Sequence, residues 1–446
     1  MSNRLGAAAL WSALLAMALM VLPLLLRDIL AISAQVPLDP NEGWNAAHAI
    51  AAMAGHRLYP LPGNLLVNNY PPMSFYLVGA LAQLTSDAVI AGRILSLLSF
   101  LAVGGGIVLV LRQMACGIMA RLFALLFFAA VLLIASDYVG MDDPQLLGHA
   151  LQWGALLLLL RGQSLAAALI FAASLFFKHN LLALPLTSAI WLLRQDRRAG
   201  WRFILCGSAA LVFGLILFRL VYGVSLLTEL ASPRLVSLAN LRFALLHLWW
   251  APLPLAALLT LRGPWRDFCR IYAAVALVLG LVLSTGDGVD ANIFFDLALA
   301  CALALGLVVD RGRAPLFAAL CAAPLPLFLI FNFQDNNFFF TRDFAGQSAR
   351  DITFLKSRPG PALCDQISLC LWAGKEAGID VFNVGEEIKT GTRDPAPLAE
   401  MIAARRFAVL QLQDTDALGP QVRAAIEKHY RLHHDDDNGK FLTPLR

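Results

Sequence analysis

Residues 174–186 read SLFFKHNLLALPL and lie in the middle of a stretch, residues 164–193, that is otherwise almost wholly apolar. A lysine and a histidine, Lys178 and His179, stand side by side where hydrocarbon is expected. The two polar side chains lie either inside one long membrane span or at a turn between two short spans. The charges that flank the stretch decide between these two folds.

Short arginine-bearing segments flank this stretch on both sides. They read RGQ at 161–163 and RQDRRAGWR at 194–202. Cytoplasmic connections of membrane proteins carry an excess of lysine and arginine, so both segments are predicted to face the cytoplasm. One span would place them on opposite sides of the membrane, whereas two short spans return the chain to the same side. We therefore predict that residues 164–193 form two spans and that the turn at residues 178–180 faces outward.

The composition of the whole chain is that of a polytopic membrane protein. Hydrophobic residues make up 59% of the 446 residues and charged residues only 14%, which is not the balance of a water-soluble globule. The net charge of +4 is small, and the basic residues form short clusters between apolar segments. This distribution indicates membrane orientation and excludes a nucleic-acid partner. The first apolar segment has no cleavage site of small residues, so it is predicted to remain as an uncleaved span.

Length and apolarity predict about eleven transmembrane helices. The predicted spans cover residues 7–26, 88–112, 121–135, 145–160, 164–177, 180–193, 203–222, 243–261, 269–285, 292–309 and 314–331. Connections that bear arginine alternate along the chain with connections that bear acids. The positive-inside rule therefore places the N-terminus in the cytoplasm and the acidic connections on the outer face. An odd number of spans also places the C-terminal region outside.

The predicted fold class is an all-α polytopic membrane protein with interfacial helices in its first outer loop and a small C-terminal α/β domain. Residues 1–340 are assigned to the transmembrane domain and residues 341–446 to the outer domain, because charge rises and apolar runs shorten from about residue 345. Cys364 and Cys370 lie in this outer domain, where they could pair as a disulfide, but the sequence leaves open whether they are bonded. The remaining five cysteines lie in or beside apolar spans and are predicted to be packing residues.

Short strands and helices are predicted to alternate in the C-terminal domain. The predicted strands are PGPALC (359–364), IDVFNV (379–384) and RFAVLQL (406–412), and the predicted helices are DPAPLAEMIAARR (394–406) and GPQVRAAIEKHY (419–430). The sequence HHDDDN at 433–438 is interpreted as a solvated turn and not as a metal site.

The first outer loop, residues 27–87, combines acids with two short apolar segments. Asp39 and Glu42 precede an amphipathic segment at about 44–54 that is too short to span the membrane and is predicted to lie at its surface. A second short segment, NNYPPMSFYLVGALAQL, follows at 68–84. We predict a shelf of two interfacial helices, which would cover a site that admits a lipid from the side and a polar partner from above.

The order of these elements resembles the glycosyltransferase-C superfamily, particularly the bacterial branch that is similar to protein O-mannosyltransferases and to the lipid A aminoarabinose transferase. The resemblance covers about residues 1–200. Its motifs are DPNEG (39–43), YPPMSFYLVGAL (70–81), AGRILSLLSFLAVGGGIVLVLR (91–112), DYVGMDDP (137–144) and KHNLLALPL (178–186).

What the resemblance implies is a membrane glycosyltransferase that depends on a polyprenyl-phosphate-linked sugar donor. Such an enzyme transfers a hexose or pentose to a lipid, glycan or protein acceptor on the periplasmic face and inverts the anomeric centre. No organic cofactor is implied, and a divalent metal stays an open alternative.

The resemblance also implies that a carboxylate in the first outer loop is the general base for the acceptor hydroxyl. Many relatives have adjacent Asp and Glu at this element, whereas this chain has Asn41 and Glu42, with Asp39 two residues earlier. Either Asp39 or Glu42 carries the role, with Asp39 favoured. Asp142 and Asp143 match the second acidic element of the family, which supports the acceptor or a metal. They also form a helix start in front of an apolar run, since Pro144 follows them.

Cationic side chains are needed for the phosphate of the donor. Lys178 and His179 occupy the place where members of the superfamily carry a basic residue. Arg93 is a second candidate, because an ionisable group this deep in a span indicates a functional site. Asp296 lies near the outer end of its span and either pairs with Arg93 or Lys178 or lies in a polar groove. His48 and Tyr70 are further candidates, with packing and shaping of the shelf as their simpler roles.

A transporter or lipid flippase is the alternative from another functional class, since about eleven spans with intramembrane Arg93 and Asp296 also suit a translocation path. The gathering of acids and shelf helices on one face argues against it, as does the lack of a sequence repeat between the two halves. A polymerase or ligase of lipid-linked glycans is a closer alternative, because it shares most of these features.

Overall fold

The computed structural model describes residues 2–59, 63–135, 137–311, 315–331 and 342–445. In these ranges the chain is mostly helical, with one small sheet near the C-terminus. The predicted domain boundary at residues 340 and 341 lies outside the described residues.

Long and short helices alternate in the first 195 residues. They are α1 (Ser2–Ala31), α2 (Pro40–Met53), α3 (Met73–Thr85), α4 (Ala88–Gln113), α5 (Ile118–Ala135), α6 (Gln145–Leu160), α7 (Ser164–Ser174) and α8 (Ala183–Gln195). The prediction that residues 164–193 form two helices is confirmed, with Lys178 and His179 in the connection between α7 and α8. The predicted pair of short helices in the first outer loop is also present, as α2 and α3.

Two predicted spans in the next part of the chain are wrong as continuous helices. The helices here are α9 (Arg197–Tyr222), α10 (Ser225–Leu230), α11 (Leu238–Leu246), α12 (Pro252–Thr260), α13 (Arg266–Leu283), α14 (Phe295–Asp310), α15 (Pro315–Ala322) and α16 (Pro324–Phe331). The predicted spans 243–261 and 314–331 are each broken just before a proline, Pro252 and Pro324. Proline lacks the backbone N–H that a helix interior needs, and its ring clashes with the preceding turn, so each of these prolines begins a new helix.

The chain has the helices of a membrane protein. In its described part, four helical segments are long and apolar enough to cross a membrane: Arg4–Ala31, Ala88–Gln113, Arg197–Tyr222 and Ala291–Asp310. The eleven predicted spans stay a prediction, since several of the helices are short.

Helices α14 and α9 occupy opposite environments although both are apolar. Every residue from 295 to 309 of α14 is buried, so this helix forms the centre of the bundle. In α9, by contrast, large apolar side chains such as Phe213 and Leu220 are exposed. Lipid tails are as apolar as leucine, so exposed apolar side chains are stable on a helix that faces the bilayer.

The connections between helices gather in space according to charge. At one end of the bundle, the backbone N–H of Gly117 donates to the Asp310 carboxylate at 2.6 Å, and the guanidinium of Arg311 lies against Gly263. These contacts bring three arginine-bearing connections together, as the threading of the chain predicts. The acidic connections meet elsewhere, around the cavities described below.

The C-terminal region folds into helices around a four-stranded sheet. Its elements are α17 (Arg342–Ser357), β1 (Ala362–Cys364), α18 (Ile367–Trp372), α19 (Val381–Lys389), α20 (Ala396–Ala403), β2 (Val409–Leu412), α21 (Gly419–His429), β3 (Tyr430–Asp436) and β4 (Gly439–Pro444). The sheet order is β1-β2-β4-β3, with β1 and β2 parallel and the other neighbours antiparallel. Cys364 and Cys370, whose pairing the sequence left open, form a disulfide.

Two predictions for this region are wrong. The sequence IDVFNV lies largely in α19 and not in a strand, because Asp380 caps the helix by accepting a hydrogen bond from the Asn383 N–H at 3.0 Å. Most of HHDDDN lies in β3, and only residues 437 and 438 form a turn. Gly439, at φ +102°, adopts the left-handed conformation that this tight turn requires.

Helix α18 docks the C-terminal domain onto the first outer loop. It crosses α2 so closely at Gly43 that a Cβ atom there would overlap the backbone of Ser368. The Trp372 indole N–H donates to the Asp87 carboxylate at 3.0 Å, and its ring centre lies 5.8 Å from the guanidinium carbon of Arg93. The C-terminal region therefore contacts and supports the helix that carries Glu42.

Candidate active site

Two neighbouring cavities lie where the acidic connections meet the C-terminal domain. One, of about 360 Å³, is called the basic cavity after three of its lining residues, Lys178, His179 and Arg234. The other, of about 480 Å³, is called the acidic cavity after its carboxylates, which belong to Asp39, Asp287, Asp290, Asp365 and Asp414. Both are lined by Asn41, Tyr138, Gly286, Gly288, Val289 and Phe382. A ligand can therefore contact both sets of charges at once.

Asp39 lies at the start of α2 and lines the acidic cavity. It is the N-cap of the helix, since its Oδ1 accepts a hydrogen bond from the Asn41 N–H at 2.8 Å. Burial raises the pKa of the Asp39 carboxyl group to about 7, although the hydrogen bond from Asn41 lowers it, and the nearby carboxylates of Asp290 and Glu42 add to the rise. Near neutral pH this group exchanges a proton readily.

Glu42, one turn further along α2, is fully buried and held by Arg93. The Arg93 Nε donates to Glu42 Oε2 at 2.8 Å, and its Nη2 donates to Oε1 at 2.6 Å. The Leu38 N–H also donates to Oε1, at 2.9 Å. Both oxygens of Glu42 are engaged by a buried guanidinium, whereas Asp39 lines a cavity, so the two acids occupy chemically different positions.

Arg93 uses all of its N–H groups within the protein. Besides the two bonds to Glu42, it donates to the backbone carbonyls of Ala31, Ala34 and Val36, each at 2.7 Å. A guanidinium has five N–H donors, so none is left for a phosphate in this arrangement. The geometry gives Arg93 the role of connecting the end of α1 to the start of α2.

Asp143 and Lys178 form a second buried ion pair. The Lys178 Nζ lies 3.0 Å from Asp143 Oδ2 and 3.8 Å from the centre of the Tyr70 ring. Burial lowers the pKa of Lys178, but the Asp143 carboxylate and the Tyr70 side chain together outweigh this effect, so the pKa is raised. His179, beside it, has a pKa lowered to about 4 by burial and by the charges of Lys178 and Arg234. At neutral pH Lys178 is therefore a cation and His179 a neutral imidazole.

Asp142 is buried against the helices that surround it. A Cβ atom on Gly92 would overlap its carboxyl group, so α4 approaches this closely only because it has a glycine there. Burial raises the pKa of Asp142 well above its usual range, and the carboxylates of Glu42 and Asp143 add to the effect. Asp143 is already engaged by Lys178 and by the Gln145 N–H at 2.7 Å. Asp142 is thus a buried acid beside one that Lys178 already engages.

Asp296 is buried beside polar side chains and pairs with neither Arg93 nor Lys178, two of the alternatives that its sequence position left open. The Tyr272 hydroxyl donates to its Oδ1 at 2.6 Å, and the His149 Nδ1 lies 4.0 Å from the same oxygen. Arg93 and Lys178 have the partners described above. His48 is a packing residue in this arrangement: its Nε2 lies 3.1 Å from the Val67 carbonyl oxygen, and its ring contacts Trp44.

Arg234 is a candidate that the sequence analysis missed. It lines the basic cavity, with its guanidinium 4.9 Å from the centre of the Phe382 ring. Its Nη1 is buried and has no hydrogen-bond partner among the described residues. The sequence does contain one indication of a special role for Arg234. It lies in a connection, residues 222–243, that is predicted to face outward, where the positive-inside rule disfavours arginine.

Comparison with known proteins shows which fold this is. No protein-family model and no curated protein sequence matches the chain. The crystal structure of ArnT from Cupriavidus metallidurans in the apo state superposes with a TM-score of 0.63 at 12% identity, over 98% of this chain and 98% of that chain. ArnT from the same organism bound to undecaprenyl phosphate gives a TM-score of 0.59 at 12% identity, over 96% and 97%.

The likeness extends well beyond residues 1–200, where the sequence motifs lie, and includes the outer domain. The predicted resemblance to the aminoarabinose transferase branch is thus confirmed at the level of the fold. The chain has the ArnT fold over nearly its whole length.

Proposed function

We propose that this protein is a polyprenyl-phosphate-dependent membrane glycosyltransferase that transfers a sugar to an acceptor on the outer face of the inner membrane. The observation that carries the proposal is the pair of adjoining cavities, one with fixed cations and one with the carboxyl group of raised pKa. The fold that the chain shares with ArnT bound to undecaprenyl phosphate supports the same class of donor.

The donor phosphate is assigned to the basic cavity. Lys178 and Arg234 supply charge there, and the buried Nη1 of Arg234 has an N–H to offer to a phosphate oxygen. A third cavity, of about 150 Å³, is lined by apolar side chains of the α7–α8 connection and of α9, together with His179. Because His179 lines both cavities, a lipid with its phosphate in the basic cavity would extend along α9 towards the bilayer.

The general base is assigned to Asp39. It is the first-loop acid that lines a cavity and has a pKa near neutrality, whereas Glu42 is committed to Arg93. As the acceptor oxygen attacks the anomeric carbon, Asp39 takes its proton and the bond from that carbon to the phosphate oxygen breaks. A single displacement of this kind inverts the anomeric centre. Lys178 and Arg234 stabilise the charge that develops on the leaving phosphate.

Glu42 and Arg93 are assigned a positioning role in this mechanism. Their ion pair and the three carbonyl contacts of Arg93 fix the chain between α1 and α2, which is the segment that carries Asp39. An acceptor hydroxyl must lie within hydrogen-bonding distance of the base, so movement of this segment would slow transfer without removing the base.

The proposal is tested by assaying the purified protein in nanodiscs. A panel of radiolabelled polyprenyl-phosphate hexoses and pentoses is presented together with a membrane-lipid extract. We expect one carrier to lose its sugar to a product in the extract. If no carrier in the panel is consumed while the protein moves labelled lipid between leaflets, the enzyme proposal fails and the transporter alternative takes its place.

Substitution of Arg234 tests the donor side. Arg234→Ala is expected to raise the KM for the carrier about 10- to 100-fold, because it removes a charge-assisted hydrogen bond to the phosphate worth about 1.5–3 kcal/mol. The measurement is transfer rate against carrier concentration. Arg242→Ala is the matched control, since Arg242 belongs to the same connection, is exposed, and does not line either cavity. An equal effect of the two substitutions would remove Arg234 from the phosphate site.

The pH dependence of transfer tests the base. The pKa of Asp39 is raised to about 7, so the group is protonated and inactive as a base below that pH and becomes competent above it. We therefore expect kcat/KM to rise with pH through about 7. The measurement is initial rate at limiting acceptor over a pH series. A kcat/KM that stays constant through neutral pH would contradict the assignment. So would an Asp39→Asn variant whose kcat/KM rises with the same midpoint as that of the wild type.

A further inference from the structure

A second group of ligating side chains lies where α17 meets the β3–β4 hairpin, in a part of the C-terminal domain that does not line the cavities described above. Asp351, His434 and Asp436 each offer one ligand atom, and the three atoms lie within 4.8 Å of one another. The His434 Nε2 lies 3.0 Å from Asp351 Oδ1 and 3.8 Å from Asp436 Oδ2. Three donors from two separate elements thus converge on one point.

The contacts around this group hold its ligand atoms in place. Asp351 is buried, and its second oxygen accepts a hydrogen bond from the Asn438 Nδ2 at 2.6 Å. The His434 ring stacks on Phe441, with 4.3 Å between ring centres and 10° between planes. Metal sites in proteins have such outer contacts, which orient a carboxylate and an imidazole before the ion binds.

The other nitrogen of His434 helps to determine which atom carries its proton. The Nδ1 atoms of His433 and His434 lie 2.9 Å apart, so one of them bears the hydrogen that joins them. With that hydrogen on His434, the lone pair of a neutral imidazole at Nε2 points towards the carboxylates of Asp351 and Asp436. In that tautomer three electron-rich atoms face one another, and a cation among them, either a proton on Nε2 or a metal ion, is stabilised by all three.

We propose that this group binds a divalent first-row transition-metal ion of the zinc class through His434 Nε2, Asp351 Oδ1 and Asp436 Oδ2. Zinc bonds of about 2.0–2.2 Å place tetrahedral ligands roughly 3.3 Å apart, and the two nitrogen–oxygen separations of 3.0 and 3.8 Å lie on either side of this value. One imidazole with two carboxylates suits zinc, manganese or cobalt better than magnesium or calcium. Water completes the coordination.

The ion would join two parts of the outer domain that are far apart in sequence. Asp351 belongs to α17, the first described helix after the membrane helices, whereas His434 and Asp436 belong to β3 near the C-terminus. Side chains two residues apart on a strand point to the same face, which explains why Asp435 is exposed and lies outside the group.

The test measures metal content and not activity. The purified chain, without a polyhistidine tag, is stripped with EDTA, given Zn²⁺, desalted and analysed by mass spectrometry of the metal. We expect about one zinc per chain in the wild type and in Asp435→Asn, the matched control on the same strand. His434→Ala and Asp436→Asn are expected to reduce zinc at least about tenfold, as expected when a three-ligand site loses a donor.

Circular dichroism shows whether each variant is folded, and the nearly isosteric Asp436→Asn keeps the test valid if His434→Ala does not fold. The X-ray absorption spectrum of the zinc-loaded wild type should fit one nitrogen ligand with oxygen ligands. The proposal is overturned if the wild type retains no zinc, in which case a proton on His434 takes the place of the metal ion. It is also overturned if zinc persists in both His434→Ala and Asp436→Asn.

Discussion

Asp39→Asn is expected to lower kcat for sugar transfer by roughly 10²- to 10⁴-fold, the range that a positioned general base contributes. Asparagine keeps an oxygen for the N-cap hydrogen bond to Asn41, so the start of α2 should be unchanged. What is lost, on the proposed mechanism, is the carboxylate that takes the proton of the acceptor hydroxyl. The measurement is single-turnover transfer, together with the Kd for the carrier, which should stay at the wild-type value.

Asp196→Asn is the matched control for this substitution. Asp196 is the N-cap of α9, with its Oδ1 accepting from the Arg198 N–H at 2.8 Å, and it lies in a connection predicted to face the cytoplasm. The same chemical change at the same kind of helix start should leave kcat unchanged. Transfer at the wild-type rate by Asp39→Asn would exclude Asp39 as the base.

Glu42→Gln is expected to lower the free energy of unfolding by about 3–5 kcal/mol, the usual cost of removing one partner from a buried ion pair. Glutamine has nearly the same shape, but it leaves the Arg93 charge without a counter-charge in a site from which water is excluded. The three carbonyl contacts of Arg93 partly solvate that charge and do not neutralise it. Thermal unfolding in nanodiscs, followed by tryptophan fluorescence, gives the change in stability.

The same Glu→Gln substitution at an exposed ion pair separates the effect of burial from the effect of removing the charge. Glu427 accepts from the Arg423 Nε at 2.8 Å, but its side chain is 61% exposed. Exposed pairs contribute roughly 0.2–1 kcal/mol, so Glu427→Gln should have a small effect. Equal losses of stability in the two variants would mean that the Glu42–Arg93 contact does not hold the first outer loop. Together with Asp39→Asn, the comparison distinguishes loss of the base from loss of its support.

The helix pattern was largely predictable from the sequence, since α6 begins and ends at the predicted residues and the turn at Lys178 lies between two helices. Both predictions, the bounds of α6 and the turn at Lys178, depend on local apolarity and charge, which can be read from a single sequence. Strand β3 was missed because its histidines and aspartates have no strand-like pattern of their own. Its pairing with β4, for example Leu432 with Leu442, supplies the stabilisation.

The candidate site was only partly predictable for a similar reason. The spacing of Asp39 and Glu42 cannot assign their roles, because the assignment depends on Arg93, 51 residues further along the chain. Arg234 lies in a connection that carries no motif, and in the basic cavity it meets Phe382 of α19, which is far away in the sequence. Long-range contacts of this kind have no signature in local sequence.

The disulfide between Cys364 and Cys370 makes the first outer loop dependent on the compartment that surrounds it. The bond closes the segment that leads into α18, and α18 is the helix that presses on α2 at Gly43. Disulfides persist in the periplasm and are kept reduced in the cytosol. A copy of the chain inserted in the reverse orientation would therefore lack this bond, and its α18 would hold α2 less firmly. The contact between α18 and α2 would thus be complete only on the side of the membrane where the disulfide forms.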